Sequence, residues 1–511
     1  PVGRESNFFE LGGDSLMASR VIGRVRALGY ETARLQLLFD ADNLEEFCGA
    51  LKKSAPAKQG ASIDTNPSEE YESFPLTEIQ HAYLVSRRDS SGQATVGTTY
   101  CQIFATDWVD IDRLDAAWIK VQKRHGMMRA SIKENGTQVI APPSVLGRFE
   151  RIECTNSSEA KQILNTIKHT VFSLSKPPLH RVFAVSWLEE SERRVRLAFC
   201  FDYTVLDALS ITIVLSELAE LYKDPEANLP DIGLTFRDFV IGYQKDNRDV
   251  ETAKSYWRSR LSELPPAPQL PLAADPSMVG EGRFERLWRT IPESEWSKIK
   301  EKARLHGVTP SAALLACYAR TLSSWSGGGG VTLNLTIFDR PEVHPDIDKV
   351  VGDFTTLLPV ACLPSAGASI ENQVRDVQKE LASDLEHRAV SAVWVQRELA
   401  RLAGTSGVVL PVVFTSALGL SRFDLDGDFM EYLGGLSQTP QVWLDHQAME
   451  RGGGVMLSWD YVSELFPSGM IADMFDAYCS TVSSLAAFDW SEPFPDLLPP
   501  SQRAARREAN S

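Results

Sequence analysis

Two carboxylates and a hydroxyl stand close together in Asp202-Tyr203-Thr204-Val205-Leu206-Asp207-Ala208-Leu209-Ser210. Carboxyl groups hold or move protons near neutral pH when burial or neighbouring charge shifts them. A second set lies downstream. Thr415 falls in Pro411-Val412-Val413-Phe414-Thr415-Ser416 and Asp445 in Trp443-Leu444-Asp445-His446, with the amides of Gln438 and Gln441 just before it. Ser15, in Leu11-Gly12-Gly13-Asp14-Ser15-Leu16, is a hydroxyl on a glycine-containing loop. Residue type alone also allows structural uses. Ser210 and Ser15 suit helix caps, and Thr415 a strand-end hydroxyl bonded to backbone. Asp207 and Asp445 suit ion pairs, Asp207 with an Arg partner.

The elements around these residues follow from apolar spacing. Val195, Leu197, Phe199 and Phe201 share one face at period two, so a strand ends at Asp202. Ile211, Val214, Leu218, Leu221 and Tyr222 repeat at helical spacing, so a helix follows Ser210. This strand-loop-helix junction is a common place for functional groups. Val331, Leu333, Leu335 and Ile337 alternate along a strand with both faces partly buried. Val412-Val413-Phe414 reads as a short strand, and Met470, Met474 and Tyr478 as a late helix. Near the start, Met17, Val21, Val25 and Leu28 make a helical stripe ended by Gly29. Leu35, Leu37, Leu38 and Phe39 form a second apolar cluster, and Leu44, Phe47 and Leu51 a third. Residues 52 to 70, rich in Pro, Ser, Gly and charge, read as a linker. Gly327 to Gly330 lack the Lys-Ser/Thr of a phosphate loop and lead into a strand, so they read as a turn.

Bulk properties remove several function classes. The chain has 511 residues, 43% hydrophobic and 23% charged, as in an ordinary globular protein. Its net charge of −16 and pI of about 5.1 argue against nucleic acid and against an anionic membrane surface. No apolar run is long enough to span a bilayer, and no signal-peptide pattern opens the chain. The seven Cys lack metal-type or CxxC spacing. A cytoplasmic location, no disulfide framework and no metal site are the expectations.

Several segments resemble known families. Asp202-x-x-x-x-Asp207-x-x-Ser210 resembles the DxxxxDxxS signature of heterocyclization domains in nonribosomal peptide synthetases, a branch of the condensation-domain family. The ordinary HHxxxDG signature is absent, since no two His are adjacent. Phe74-Pro75-Leu76-Thr77-Glu78-Ile79-Gln80-His81-Ala82-Tyr83 and Arg124-His125-Gly126-Met127-Met128-Arg129 resemble further motifs of that family. So do Asn334 to Arg340, Val351-Gly352-Asp353-Phe354, Pro411 to Ser416 and Ser437 to Gln447. Asp339 stands where Asn is usual, and Ser86-Arg87 where Gly-Arg is usual. GGDSL after Asn7-Phe8-Phe9-Glu10 resembles the attachment site of peptidyl carrier domains, which have a further helix ahead of this motif. Leu497-Leu498-Pro499-Pro500-Ser501-Gln502-Arg503 resembles a linker toward an adenylation domain.

The resemblance implies an α/β fold of two chloramphenicol-acetyltransferase-like lobes, a V-shaped pseudo-dimer with a central tunnel, behind a small all-α carrier. The expected boundaries are a carrier at 1–54, a linker at 55–70, a heterocyclization domain at 71–490 (lobes of about 71–250 and 251–490), and a linker at 491–511. It implies 4′-phosphopantetheine on Ser15, carrying an acyl thioester. It implies amide formation with a carrier-bound Cys, Ser or Thr, then cyclodehydration to a thiazoline or oxazoline. Asp445 would be the general acid/base of the second reaction and Thr415 its hydrogen-bonding partner. Gln438 and Gln441 would be orienting groups. Asp202, Asp207 and Ser210 would shape the tunnel, with Asp207 holding the fold by pairing with an Arg, either Arg129 or Arg340. Implied partners are the donor carrier in cis, downstream acceptor carrier and adenylation domains, and a phosphopantetheinyl transferase. Alternative readings are a domain that condenses without cyclizing and a non-catalytic carrier-docking domain.

Overall fold

Alternating apolar residues carry the strand ending at Asp202 from Glu192 onward, and the helix beyond it runs Ala208–Lys223 in the computed structural model of the chain. Residues 2–495 are described, except 10, 12, 14, 31, 54–62, 88–95, 244–249, 277, 280, 281, 366, 405–409 and 420–428. The linker expected at 491–511, including Leu497 to Arg503, lies almost wholly outside the described residues, as does the first half of the 55–70 linker.

The chain forms the expected mixed α/β architecture of two lobes, each a sheet backed by helices. The first lobe holds a five-stranded sheet in the order Glu431–Gln438, Thr99–Ala105, Glu192–Asp202, His180–Glu189, Glu150–Glu153. The helices Ile111–Arg124, Ser157–Ile167 and Ala208–Lys223 contribute to its core with Trp118, Leu164 and Val214. The second lobe holds a six-stranded sheet in the order Thr355–Cys362, Val331–Phe338, Val412–Ser416, Leu444–Arg451, Gly454–Val462, Phe284–Ile291. Pro310–Trp325, Ile370–Glu386 and Met470–Ser484 bury Leu314, Val374 and Tyr478 behind it. A small sheet of Phe74–Pro75, Thr137–Ile140 and Ala130–Ile132 completes the strands.

One strand crosses between the lobes. Glu431–Gln438 comes from the second half of the sequence, yet it pairs antiparallel with Thr99–Ala105 and completes the first sheet. Close approach there depends on glycine. A Cβ on Gly435 would lie 2.3 Å from the Cys101 carbonyl oxygen, and Gly434 holds φ at 135°. Periodicity did not reveal this exchange, because partner choice depends on which sheet edge is free.

The carrier segment contributes helices Ser15–Ala27, Leu35–Asp40 and Leu44–Ala50. The buried face of the first differs from the expected stripe: Ala18 and Ile22 are buried, whereas Met17 and Leu28 are exposed. The stripe rule favours large side chains, but here a small alanine permits the close packing. Gly29 ends the helix at φ 92°, as its position suggested. Ile63, read as linker, is buried, with its N–H on the Val343 carbonyl oxygen (3.4 Å). Beyond it, Glu69 pairs with Arg237 and Glu70 with Arg129, so this end of the linker is packed on the body. The glycine run forms a turn, with φ of 85°, 83° and 114° at Gly327, Gly328 and Gly329.

Candidate active site

The six-stranded sheet sorts its side chains by chemistry. One face carries Leu333, Phe414, Leu444, Leu457 and Trp459 into the apolar core. Strand registers place Asn334, Val413, Asp445, Asp460 and Arg286 in one row on the other face. The next row on that face is Thr336, Thr415, Gln447, Ser458 and Trp288. Thr415 and Asp445 therefore sit on neighbouring parallel strands, one step apart along them.

Both line a cavity closed on its far side by Tyr83, Tyr100, Tyr203 and Ser437 of the first lobe and its added strand. Asn334, Thr336, Thr355 and Gln447 add polar groups, and Phe338, Leu357, Val442 and Met456 add apolar walls. An adjoining opening shares Tyr83, Asn334, Leu357, Thr439 and Val442, and continues past Gln441, Arg397 and Arg401. Gln441 adopts φ of 67°, a left-handed conformation that costs a non-glycine residue energy.

Asp445 is buried. Gln447 donates Nε2–H to its Oδ2 (2.9 Å), while Oδ1 has no protein partner. Burial pushes its carboxyl up to about 7 and the negative charge of Asp460 adds to this, against the pull of the Gln447 bond and of Arg286. A carboxyl poised there can serve as acid or base at neutral pH. His446, the next residue, points into the apolar core. It stacks on Phe414 and bonds the Tyr478 hydroxyl (2.7 Å), and burial lowers its pKa to about 3. It is a neutral core residue.

The opening signature sits behind the cavity, not on it. Tyr203 and Ala208 line the wall, while Asp202, Asp207 and Ser210 are fully buried. Asp202 is held by Arg87 and by the hydroxyl and N–H of Thr204. Asp207, not Ser210, caps the helix, accepting from the Ser210 N–H (2.7 Å). Arg340 is its ion partner, donating to Oδ2 (2.9 Å) and Oδ1 (3.0 Å), and the Phe354 N–H adds a fourth bond (3.1 Å). Ser210 Oγ accepts from Arg340 (3.0 Å) and from the Gly352 N–H (3.0 Å), and donates to the Gly352 carbonyl oxygen (2.7 Å). Arg129, the other expected partner, instead serves backbone carbonyls such as that of Ala141 (3.0 Å). Gln438 is likewise committed away from the cavity, to Thr99, His169 and the Lys168 carbonyl. Its expected orienting role has no support in this geometry.

Residues 70–489 match the family described as Condensation domain, and residues 1–51 that described as Phosphopantetheine attachment site. The chain belongs to the condensation-domain family. This is the catalytic, peptide-bond-forming domain of nonribosomal peptide synthetases, here with a carrier segment ahead of it. The chain is 33% identical over 474 residues to Pyochelin synthetase PchF of Pseudomonas aeruginosa (strain UCBPP-PA14), covering 87% of this chain and 26% of that protein. It is 32% identical over 527 residues to Phenyloxazoline synthase MbtB of Mycolicibacterium paratuberculosis (strain ATCC BAA-968 / K-10), covering 99% and 44%. The chain thus spans less than half of these curated relatives. Its fold is similar to a solved structure of the EpoB NRPS cyclization-docking bidomain from Sorangium cellulosum, with TM-score 0.77, 33% identity and coverage of 84% and 88%.

The family's 4′-phosphopantetheine fits the carrier segment. Ser15 opens the 13-residue helix Ser15–Ala27, whose N-terminal N–H groups and dipole favour a phosphate. A Cβ on Gly13 would lie 2.4 Å from the Phe8 ring, so the loop before the serine is built for glycine. When attached, the group supplies a thiol that holds an acyl chain as a thioester. Among the described residues, no His/Cys/Asp/Glu cluster could hold a metal ion, and no helix is long and apolar enough to cross a membrane.

Proposed function

We propose that the condensation domain also cyclizes its product. It would join a carrier-bound acyl or peptidyl thioester to a carrier-bound Cys, Ser or Thr, then close a thiazoline or oxazoline. The observation that carries this reading is the placement of Thr415 and a buried Asp445 in adjacent rows of one cavity wall. The likeness to Phenyloxazoline synthase MbtB and to the EpoB cyclization bidomain supports it.

In the first reaction the acceptor amine nitrogen bonds to the thioester carbon, the C–S bond breaks, and the thiol leaves with the amine proton. Placement is the main requirement, and proximity contributes up to roughly 7–11 kcal/mol in the best cases. The cavity walls supply that placement. In the second, the side-chain thiol or hydroxyl adds to the new amide carbon, giving a tetrahedral intermediate. The former carbonyl oxygen leaves as water, taking one proton from the adding group and one from the amide N–H as C=N forms. Asp445, neutral below about pH 7, donates to the departing oxygen; its carboxylate then accepts the N–H proton. Thr415 hydrogen-bonds the intermediate. Ser15 is the proposed attachment residue of the donor arm. The downstream acceptor carrier and adenylation domains, and the phosphopantetheinyl transferase, are proposed partners.

The test supplies a preformed linear dipeptidyl thioester, bypassing condensation, and follows loss of water. Asp445→Ala and Thr415→Val are each expected to slow it, Asp445→Ala by about 10²–10⁴-fold. Ring closure at the wild-type rate in Asp445→Ala would remove the assignment.

A further inference from the structure

Arg286, Gln447 and Asp460 form a polar line leading to Asp445. Arg286 donates from Nε to Asp460 Oδ1 (2.7 Å) and from Nη2 to Asp460 Oδ2 (2.5 Å). Its Nη1 donates to the Tyr432 hydroxyl (3.0 Å), and Nη2 also reaches Gln447 Oε1 (3.3 Å). The Arg286 and Asp460 side chains are 4% and 0% exposed, so this pair is held away from solvent.

The donor chemistry fixes the amide. A guanidinium has no acceptor, so Gln447 must turn its oxygen to Arg286 and its NH2 to Asp445. That N–H occupies Asp445 Oδ2 (2.9 Å), and Oδ1 is the oxygen left without a protein partner. A neutral Asp445 then carries its proton on Oδ1, where a substrate atom can take it. We propose that Gln447, oriented by Arg286, is a positioning residue that sets which oxygen of Asp445 bears the proton, and that Asp460 anchors Arg286 for this purpose. This rests on Asp445 being the acid of ring closure.

The other groups around Asp445 leave the line as its main source of charge. Tyr83 on Glu78–Ser86, Tyr203 beyond Glu192–Asp202 and Tyr318 on Pro310–Trp325 all have hydroxyls raised by burial, so they stay neutral. Tyr100 stacks on Tyr203, with the Arg286 guanidinium 5.8 Å from its ring. Ser437 Oγ is 3.2 Å from the Tyr203 hydroxyl and, as an uncharged hydrogen-bonding group beside Asp445, also favours its carboxylate, while Lys168 acts on Asp460. His446 is neutral and on the opposite face of its strand.

The two ends of the line pull in opposite directions. Losing the Gln447 N–H removes a bond that favours the carboxylate, so the pH above which cyclization falls should rise. Losing the Asp460 charge leaves Arg286 uncompensated, so that pH should drop. The experiment measures ring and linear products from the whole chain across pH 5–9 for wild type, Gln447→Met, Asp460→Asn and Asp445→Ala. Gln447→Met is expected to cut the ring-to-linear ratio at least about tenfold and move the alkaline limb up. Asp460→Asn is expected to move it down. A limb unmoved in Gln447→Met overturns the relay, and so does equal loss of both products in that variant. Asp445→Ala separates the two claims. If it still cyclizes, the acid assignment fails; if it stops while the limbs of the other two stay in place, only the relay fails. Gln447→Met preserves side-chain length, so the test stands even if Asp460→Asn does not fold.

Discussion

At Asp445 the sheet brings two carboxylates into one cross-strand row, because Asp445 and Asp460 are directly paired. Like charges opposite one another are unfavourable, and Arg286 forms its ion pair with Asp460 while only partly offsetting the burial of Asp445. Asp445 is left neutral up to about pH 7, whereas an unfolded aspartate loses its proton near about 3.9. Between those values the unfolded chain releases a proton that the native chain keeps. Stability therefore falls as pH rises from about 4 to about 7 and levels off above. The Asp445→Asn variant lacks that contribution. Urea unfolding from pH 4 to 8 should show wild type losing stability relative to the variant across this window. Buried Asp353 and Asp384, both pushed up to about 8, slope the same way in both proteins and cancel in the difference. Asp445 and Thr415 were legible in the sequence because each lies in a short contiguous motif. Gln447, Asp460 and Arg286 were not singled out. Their role depends on strand register, and Arg286 lies 174 residues from Asp460.

The junction after Glu192–Asp202 works at the scale of elements. Asp207 ties the start of helix Ala208–Lys223 to Arg340 and to the loop at Gly352 and Phe354. Phe338 and Phe354 pack with the first lobe's core, although Phe338 ends one strand of the second lobe's sheet and Phe354 precedes the next. Both charged side chains of the Arg340–Asp207 pair are 0% exposed. Asp207→Asn should strip Arg340 of its counter-charge and cost about 3–5 kcal/mol, measured as a lower denaturation midpoint. Condensation and ring closure should decline together. A fully stable variant that has lost condensation would mean the acid has a direct chemical role. The strand and helix here were readable from period-two and helical spacing. Helix capping by Asp207 was not: Ser210, three positions on, was the expected cap, and both residue types suit one. The crossing strand Glu431–Gln438 was also invisible: two glycines and a polar end give it little periodic signal.

Across the whole molecule, the carrier segment rests on the second lobe through charge as well as apolar packing. Arg20 pairs with Asp348 (2.8 Å) and Arg24 with Glu342 (2.7 Å). Glu386 accepts the Leu35 N–H (2.7 Å) and faces Arg26 (3.9 Å) and Arg34 (3.7 Å). Exposed pairs contribute little singly, about 0–1 kcal/mol, but Glu386 concentrates three contacts on a side chain only 11% exposed. Glu386→Lys should loosen the carrier, read as faster hydrogen exchange over residues 2–50 with the two lobes unchanged. The carrier motif itself was plain in the sequence; its seat was not, since that needs the surface of a helix, Ile370–Glu386, hundreds of residues away. The domain's central claim is ring formation at Asp445. The most direct measurement loads Ser15 with an acyl-phosphopantetheine, supplies Cys- and Ser-loaded acceptor carriers, and weighs the products. Wild type should give a product lighter by one water than the linear dipeptidyl thioester, and Asp445→Ala the linear thioester alone. Linear product alone from wild type, or rings formed equally by Asp445→Ala, would contradict it.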